Sequence, residues 1–145
     1  MGTTWVVAAN ASRARIFAAD KPAGALSEVQ DLTHPASRLH DQEITSDLPG
    51  RSFDSGGPGR HAMQQGHDPS EQEAIRFAQE LSETLETARA EGRFQRLYVI
   101  ASPSFLGELR HYIHSPTRHV IVQEIDKDLT SQRAEAIREH LPERL

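Results

Sequence analysis

The chain opens on runs whose apolar positions fall close together. "TTWVVAAN" and "RARIFAAD" are short and rich in β-branched or aromatic residues, with Ala11-Ser12-Arg13 connecting them, and "LSEVQDLTH" follows after Pro22 and Gly24. They predict an antiparallel three-stranded meander. Within the second run Ala14, Ile16 and Ala18 alternate with Arg13, Arg15 and Phe17, a period of two that predicts one inward face and a solvated arginine face. Regular patterning then stops over residues 35–67, where five of the nine glycines fall (Gly50, Gly56, Gly57, Gly59 and Gly66). The expectation there is a long flexible loop, of a length that in a compact domain is usually functional or disordered.

After the loop the period changes. Asp68 suits a helix N-cap, Pro69 the first helical position and Glu71 the reciprocal side of a capping box, so a helix is predicted to start at Pro69. Ala74, Phe77, Ala78, Leu81, Leu85 and Ala88 recur at intervals of three and four, Glu80, Glu83, Glu86 and Arg89 face away, and Gly92 ends the helix. "RLYVIAS" then reads as a buried strand. Ser102-Pro103 opens a helix carrying Phe105, Leu106, Leu109, Tyr112 and Ile113 on one face, "RHVIVQEI" reads as a further strand, and Thr130 or Ser131 caps a last helix through Ala134, Ile137 and Leu141. Strands alternating with helices imply right-handed crossovers and parallel pairing. The fold class expected is therefore α/β: a single mixed sheet, N-terminal meander first and parallel strands after, covered by helices.

Composition narrows the function classes. A chain of 145 residues is of ordinary single-domain size, so residues 1–145 are expected to form one domain. With 37% hydrophobic and 26% charged residues it has average soluble composition, and no run approaches the roughly 18 apolar residues of a membrane span. The N-terminus lacks the pattern of a signal peptide, which makes the cytoplasm the expected location and a membrane partner unexpected. No cysteine is present, which removes thiolate chemistry, disulfides and cysteine zinc sites. A formal charge of −5 argues against a broad basic face, and no DNA partner is expected.

The glycine-rich stretch "SFDSGGPGRHAMQQGH" is the foremost candidate for chemistry. It matches neither G-x-x-x-x-G-K-[S/T] nor a G-x-G-x-x-G between strand and helix, although Arg60 and His61 beside glycines suit the grip of one phosphate. His61 and His67 flank the loop, and His111 and His114 lie three apart on a predicted helix, a spacing that permits a metal ligand pair without specifying one. No H-E-x-x-H occurs, and neither metal nor cofactor is expected. Ser52, Ser55 and His61 lack the rigid G-x-S-x-G elbow that activates a serine. In "QEIDKDLTS" the carboxylates Glu124, Asp126 and Asp128 close a strand, with helix capping the plainest role for Asp128.

Several separated motifs together resemble the bacterial host attachment protein family: "TTWVVAANASRARIF", "LPGRSFDSGGPGRHAM", "DPSEQEAIRFAQEL", "ASPSFLGELR" and "EIDKDLT". That family in turn resembles the middle domain of archaeal and eukaryotic peptide-chain release factors, which implies a ribonuclease-H-like sheet. The family name implies a part in attachment to host cells. The release-factor likeness implies a ribosome- or tRNA-associated role, in which a Gly-Gly-Gln loop helps water hydrolyse peptidyl-tRNA. Gly56 and Gly57 match the two glycines, but the third position is Pro58, which has no backbone N–H to offer the reacting ester. The resemblance therefore implies a non-enzymatic binding module whose loop residues Arg51, Gly56, Gly57, Gly59, Arg60 and His61 contact RNA or a protein partner. Ester hydrolysis in ribosome rescue is the alternative. Within residues 51–67, Arg51 and Arg60 against Asp54 give +1, which leaves −6 of the total −5 on the rest of the chain.

Overall fold

The structure is a computed structural model and describes residues 2–33 and 69–145. The expected glycine-rich loop, with Arg51, Gly56, Gly57, Gly59, Arg60, His61 and His67, and the Asp68 cap lie outside the described residues.

Five strands form one mixed sheet: β1 (Thr4–Ala9), β2 (Arg13–Ala19), β3 (Ser27–Thr33), β4 (Arg96–Ala101) and β5 (Ile121–Ile125). Their order across the sheet is β3-β2-β1-β4-β5. The meander β1-β2-β3 is antiparallel, whereas β4 runs parallel to both β1 and β5, as the strand-helix alternation predicts. β1 is central and buried at every position, which is why its sequence is a continuous apolar run rather than an alternation.

Helices cover both faces. On one, α1 (Pro69–Ala90) and α2 (Pro103–Tyr112) bring Phe77, Leu81, Leu85, Phe105 and Leu109 onto Trp5, Val7, Ile16 and Val99. Phe77 meets Phe105 with ring centroids 5.7 Å apart, fixing α1 against α2. On the other face, α4 (Ala134–Glu139) and the C-terminus pack Ile137, Leu141 and Leu145 against Val6, Phe17, Tyr98 and Ile100. Arg138 binds this tail by donating to the carbonyls of Gly24, Pro142 and Glu143, and the Leu145 N–H reaches the Pro22 carbonyl at 2.7 Å. Gly92 closes α1 at φ +77° while Arg93 N–H bonds the Ala88 carbonyl and Gly92 N–H the Arg89 carbonyl, a Schellman end that only glycine enters without strain.

Four local expectations are corrected. The alternation in β2 predicted one inward face, but Phe17 and Ala19 are as buried as Ala14 and Ile16, because α4 and the C-terminus occupy the side expected to be wet. Arg15 lies under that layer, its guanidinium stacked 5.0 Å over the Phe17 ring. The last strand begins at Ile121 rather than Arg118, since Ser115–His119 form a short helix α3 that starts a new turn: Pro116 has no N–H with which to continue α2. Glu86 and Arg89 do not face freely away. They pair at 2.9 Å, and the buried Thr117 hydroxyl of α3 donates to Glu86 at 2.7 Å. Finally, α4 starts at Ala134 with Arg133 at its N-cap and no side-chain cap, so neither Thr130 nor Ser131 has the capping role.

Each outer strand of the described sheet carries one extra residue. Ile16 pairs with Gln30 and Phe17 with Glu28, which leaves Val29 unmatched in β3. Leu97 pairs with Ile121 and Tyr98 with Gln123, which leaves Val122 unmatched in β5. These two bulge residues are the large exposed aliphatic side chains among the described residues, at 44% and 52% exposure.

Candidate functional site

The β1–β2 turn and the loop after β5 meet at one end of the sheet. β1 ends at Ala9, and Asn10 turns the chain by accepting the N–H groups of Ser12 (2.8 Å) and Arg13 (2.9 Å) on its side-chain oxygen. Asn is well suited to this, because its short side chain imitates a backbone carbonyl. The same residue's Nδ2 donates across the sheet end to Asp128 Oδ2 (3.0 Å) and Thr130 Oγ1 (3.1 Å), both in the loop beyond β5. One side chain thus locks two segments 118 positions apart in sequence.

Asp128 is the hub of the loop. Its Oδ1 accepts the Thr130 hydroxyl at 2.7 Å and the Thr130 N–H at 3.1 Å. Partial burial works to raise its pKa, but the hydrogen bonds from Asn10 and Thr130 outweigh it and hold the carboxyl below its ordinary value. From below, Arg15 donates to the Thr130 carbonyl (3.0 Å) and the Gln132 carbonyl (2.6 Å), while two further bonds reach Glu28 at 3.0 and 3.2 Å. Alongside, Arg13 grips Asp31 with bonds of 2.8 and 3.2 Å. That pair raises the Arg13 pKa and lowers the Asp31 pKa through their shared hydrogen bonds.

A cleft of about 390 Å³ opens between these elements, lined by Asn10, Ser12, Arg13, Asp31, Thr33 and Thr130. All six of these residues carry polar side chains. The Asn10 amide, Thr130 hydroxyl, Arg13 guanidinium and Asp31 carboxylate are hydrogen-bonded in place, and the Ser12 and Thr33 hydroxyls complete the lining.

Few of the residues singled out in the sequence gather here. Arg51, Gly56, Gly57, Gly59, Arg60 and His61 are outside the described residues. His111 and His114 do not share a helix face: α2 ends at Tyr112, and His114 precedes α3 and meets Glu83 at 3.1 Å, while His111 packs edge-on against Tyr112. Among the described residues no group of three or more His, Asp or Glu side chains is placed to hold a metal ion. Asp128, expected to cap a helix, instead orders its own loop and ties it to β1. Asn10 and Arg15 carry no motif, but an Asn between two strands and an Asp two residues before a Thr are both signatures of side chains that bond their own backbone.

The described residues thus form an α/β fold with a mixed five-stranded sheet and a cleft lined by polar residues where the β1–β2 turn meets the loop after β5. The family described as "Protein required for attachment to host cells" matches over residues 5–141, and the chain belongs to it. No curated protein matches the chain. Two solved structures of the Aquifex aeolicus Ppx/GppA phosphatase family superpose on it weakly. The type II variant does so with a TM-score of 0.35 at 12% identity, covering 86% of this chain and 35% of its own. A second structure, of the Aquifex aeolicus member of the Ppx/GppA protein family, gives 0.32 at 11%, covering 83% and 35%. The chain therefore spans about a third of those phosphatase chains, and so distant a likeness carries no functional weight. Among the described residues no helix is long and apolar enough to cross a membrane.

Proposed function

We propose that the protein is a non-enzymatic binding module of the host attachment family, a single domain that works in the cytoplasm and takes a protein partner at the cleft between the β1–β2 turn and the β5–α4 loop. The observation that carries this reading is that three of the cleft's side chains, Asn10, Arg13 and Asp31, are fixed by hydrogen bonds within the fold. Asn10 is bonded at both ends of its amide, and Arg13 and Asp31 close on each other twice. Groups so committed are preorganised for recognition, and little conformational freedom is lost when a partner docks. The family's description supplies the setting, attachment to host cells.

Ser12→Arg tests the site, since a long side chain there fills the cleft while the bonds to Asn10 use only the residue 12 backbone. A strain lacking the gene is complemented with wild type or variant, and adherence to host cells is counted. The expected result is loss of adherence to the deletion level with an unchanged melting temperature. Full adherence with the variant would remove the cleft from the function.

A second reading rests on the net +1 of residues 51–67 and on the release-factor resemblance: RNA or ribosome contact through Arg51, Gly56, Gly57, Gly59, Arg60 and His61. Pro58 weighs against hydrolysis by that segment. Sedimentation through a sucrose gradient checks it, with residues 51–67 exchanged for a Gly-Ser linker as control. Absence from ribosomal fractions in growing and in starved cells would end this reading.

A further inference from the structure

We infer that the cleft receives a cationic group, the guanidinium or ammonium of an Arg or Lys side chain on the protein partner, against Asp128. This rests on the binding-module reading and specifies the chemistry of the partner. The argument is one of charge. Of the three carboxylates in the hydrogen-bonded network around the cleft, two are neutralised within the fold, Asp31 by Arg13 and Glu28 by Arg15, each through two bonds. Both arginines are committed in turn, Arg15 also to two loop carbonyls. Asp128 alone has only neutral donors, the Asn10 amide and the hydroxyl and N–H of Thr130. It is exposed, and it forms no ion pair among the described residues.

Geometry leaves room for one more donor. A carboxylate accepts about four hydrogen bonds, two on each oxygen. Oδ1 of Asp128 takes two from Thr130, whereas Oδ2 takes one from Asn10. Asp128 stands behind the lining residues Asn10 and Thr130, both bonded to it, with Oδ2 3.0 Å from the Asn10 amide nitrogen. The hydroxyls of Ser12 and Thr33 line the same cleft and form no side-chain hydrogen bond among the described residues. A guanidinium carries five N–H donors in a planar fork, enough to meet a carboxylate and neighbouring hydroxyls together. A nucleic acid is disfavoured here, because its phosphates would face the uncompensated charge of Asp128.

The probe is N-acetylarginine amide, with N-acetylcitrulline amide as its uncharged isostere, titrated into the full-length 15N-labelled protein. Saturable shifts are expected at the Asn10 side-chain amide and the Thr130 N–H, with the citrulline compound binding about two- to fivefold more weakly, the range for one exposed charge pair. The difference should vanish in Asp128→Asn and shrink in wild type as salt rises, which keeps the test valid if that variant fails to fold. Equal binding of the two compounds by wild type would overturn the inference, as would a difference that persists in a folded Asp128→Asn protein. Micromolar binding of free arginine would overturn the assignment to a protein side chain. The two proposals fail separately. If Ser12→Arg abolishes adherence but charge makes no difference, the site stands and its cationic ligand falls; if arginine is preferred but adherence survives, the ligand site stands and the function falls.

Discussion

Replacing Asn10 by Ala removes four hydrogen bonds at once, two accepted from the Ser12 and Arg13 amides and two donated to Asp128 and Thr130. Three involve neutral partners, at about 1 kcal/mol each, and the one to a carboxylate lies at about 1.5 to 3 kcal/mol. The Asp128 contact is exposed and the other three are partly buried, so water replaces part of each loss and roughly half survives, about 2 to 3 kcal/mol. Urea unfolding measures it: with a slope of about 2 kcal/mol/M the midpoint should fall by about 1 to 1.5 M at an unchanged slope. Asn10→Asp separates the two halves of the network. It keeps an acceptor for the turn amides but sets a second carboxylate against Asp128, so it should be more damaging than Asn10→Ala at pH 7. Two carboxylates in contact raise the apparent pKa of the pair, and the added penalty should disappear as the pH falls below the ordinary carboxylate range. A midpoint shift under about 0.25 M for Asn10→Ala, or an Asn10→Asp penalty independent of pH, would refute the claim that this side chain ties the turn to the loop.

Other residues give sharper single readouts. Glu86 is held at a pKa of about 2 by its hydrogen bonds from Arg89 and Thr117, against an ordinary 4.5, so the stability it contributes is complete above 4.5 and lost as pH falls toward 2. Glu86→Gln should flatten that limb of the stability curve and leave its form above pH 6 unchanged, which urea midpoints against pH will show. Phe17→Ala should destabilise by about 3 to 5 kcal/mol by emptying the second core; a loss below 1 kcal/mol would mean that this face is loosely covered. Gly92→Ala should cost about 1 kcal/mol, all of it backbone strain at positive φ, because no atom lies within 4 Å of the added methyl.

The architecture was largely legible because long-range order here follows from local pattern. The apolar runs of β1 and β4, the three-four spacing from Ala74 to Ala88 and the Pro69 and Pro103 starts each set one element and its type, and alternation of strand and helix set parallel pairing. The second core was hidden. Phe17 shares its face with Arg13 and Arg15, and nothing local distinguishes an arginine in water from one lying flat on a ring beneath a distant loop. The cleft was legible only as fragments. Asn10 and Asp128 are separately unremarkable turn formers, and their meeting depends on strand order, placing β1 and the exit of β5 at the same end of the sheet with β4 between them.

Val29 and Val122 sit at the two margins of the described sheet, one extra residue in each outer strand. An incoming strand needs an unbroken row of evenly spaced N–H and C=O groups to zip against, and an added residue interrupts that row and twists it away. Among the described residues neither outer strand therefore offers a regular template for sideways polymerisation, even though both valines are open to water. The margins that would be the stickiest surfaces of the described sheet are thus made poor ones.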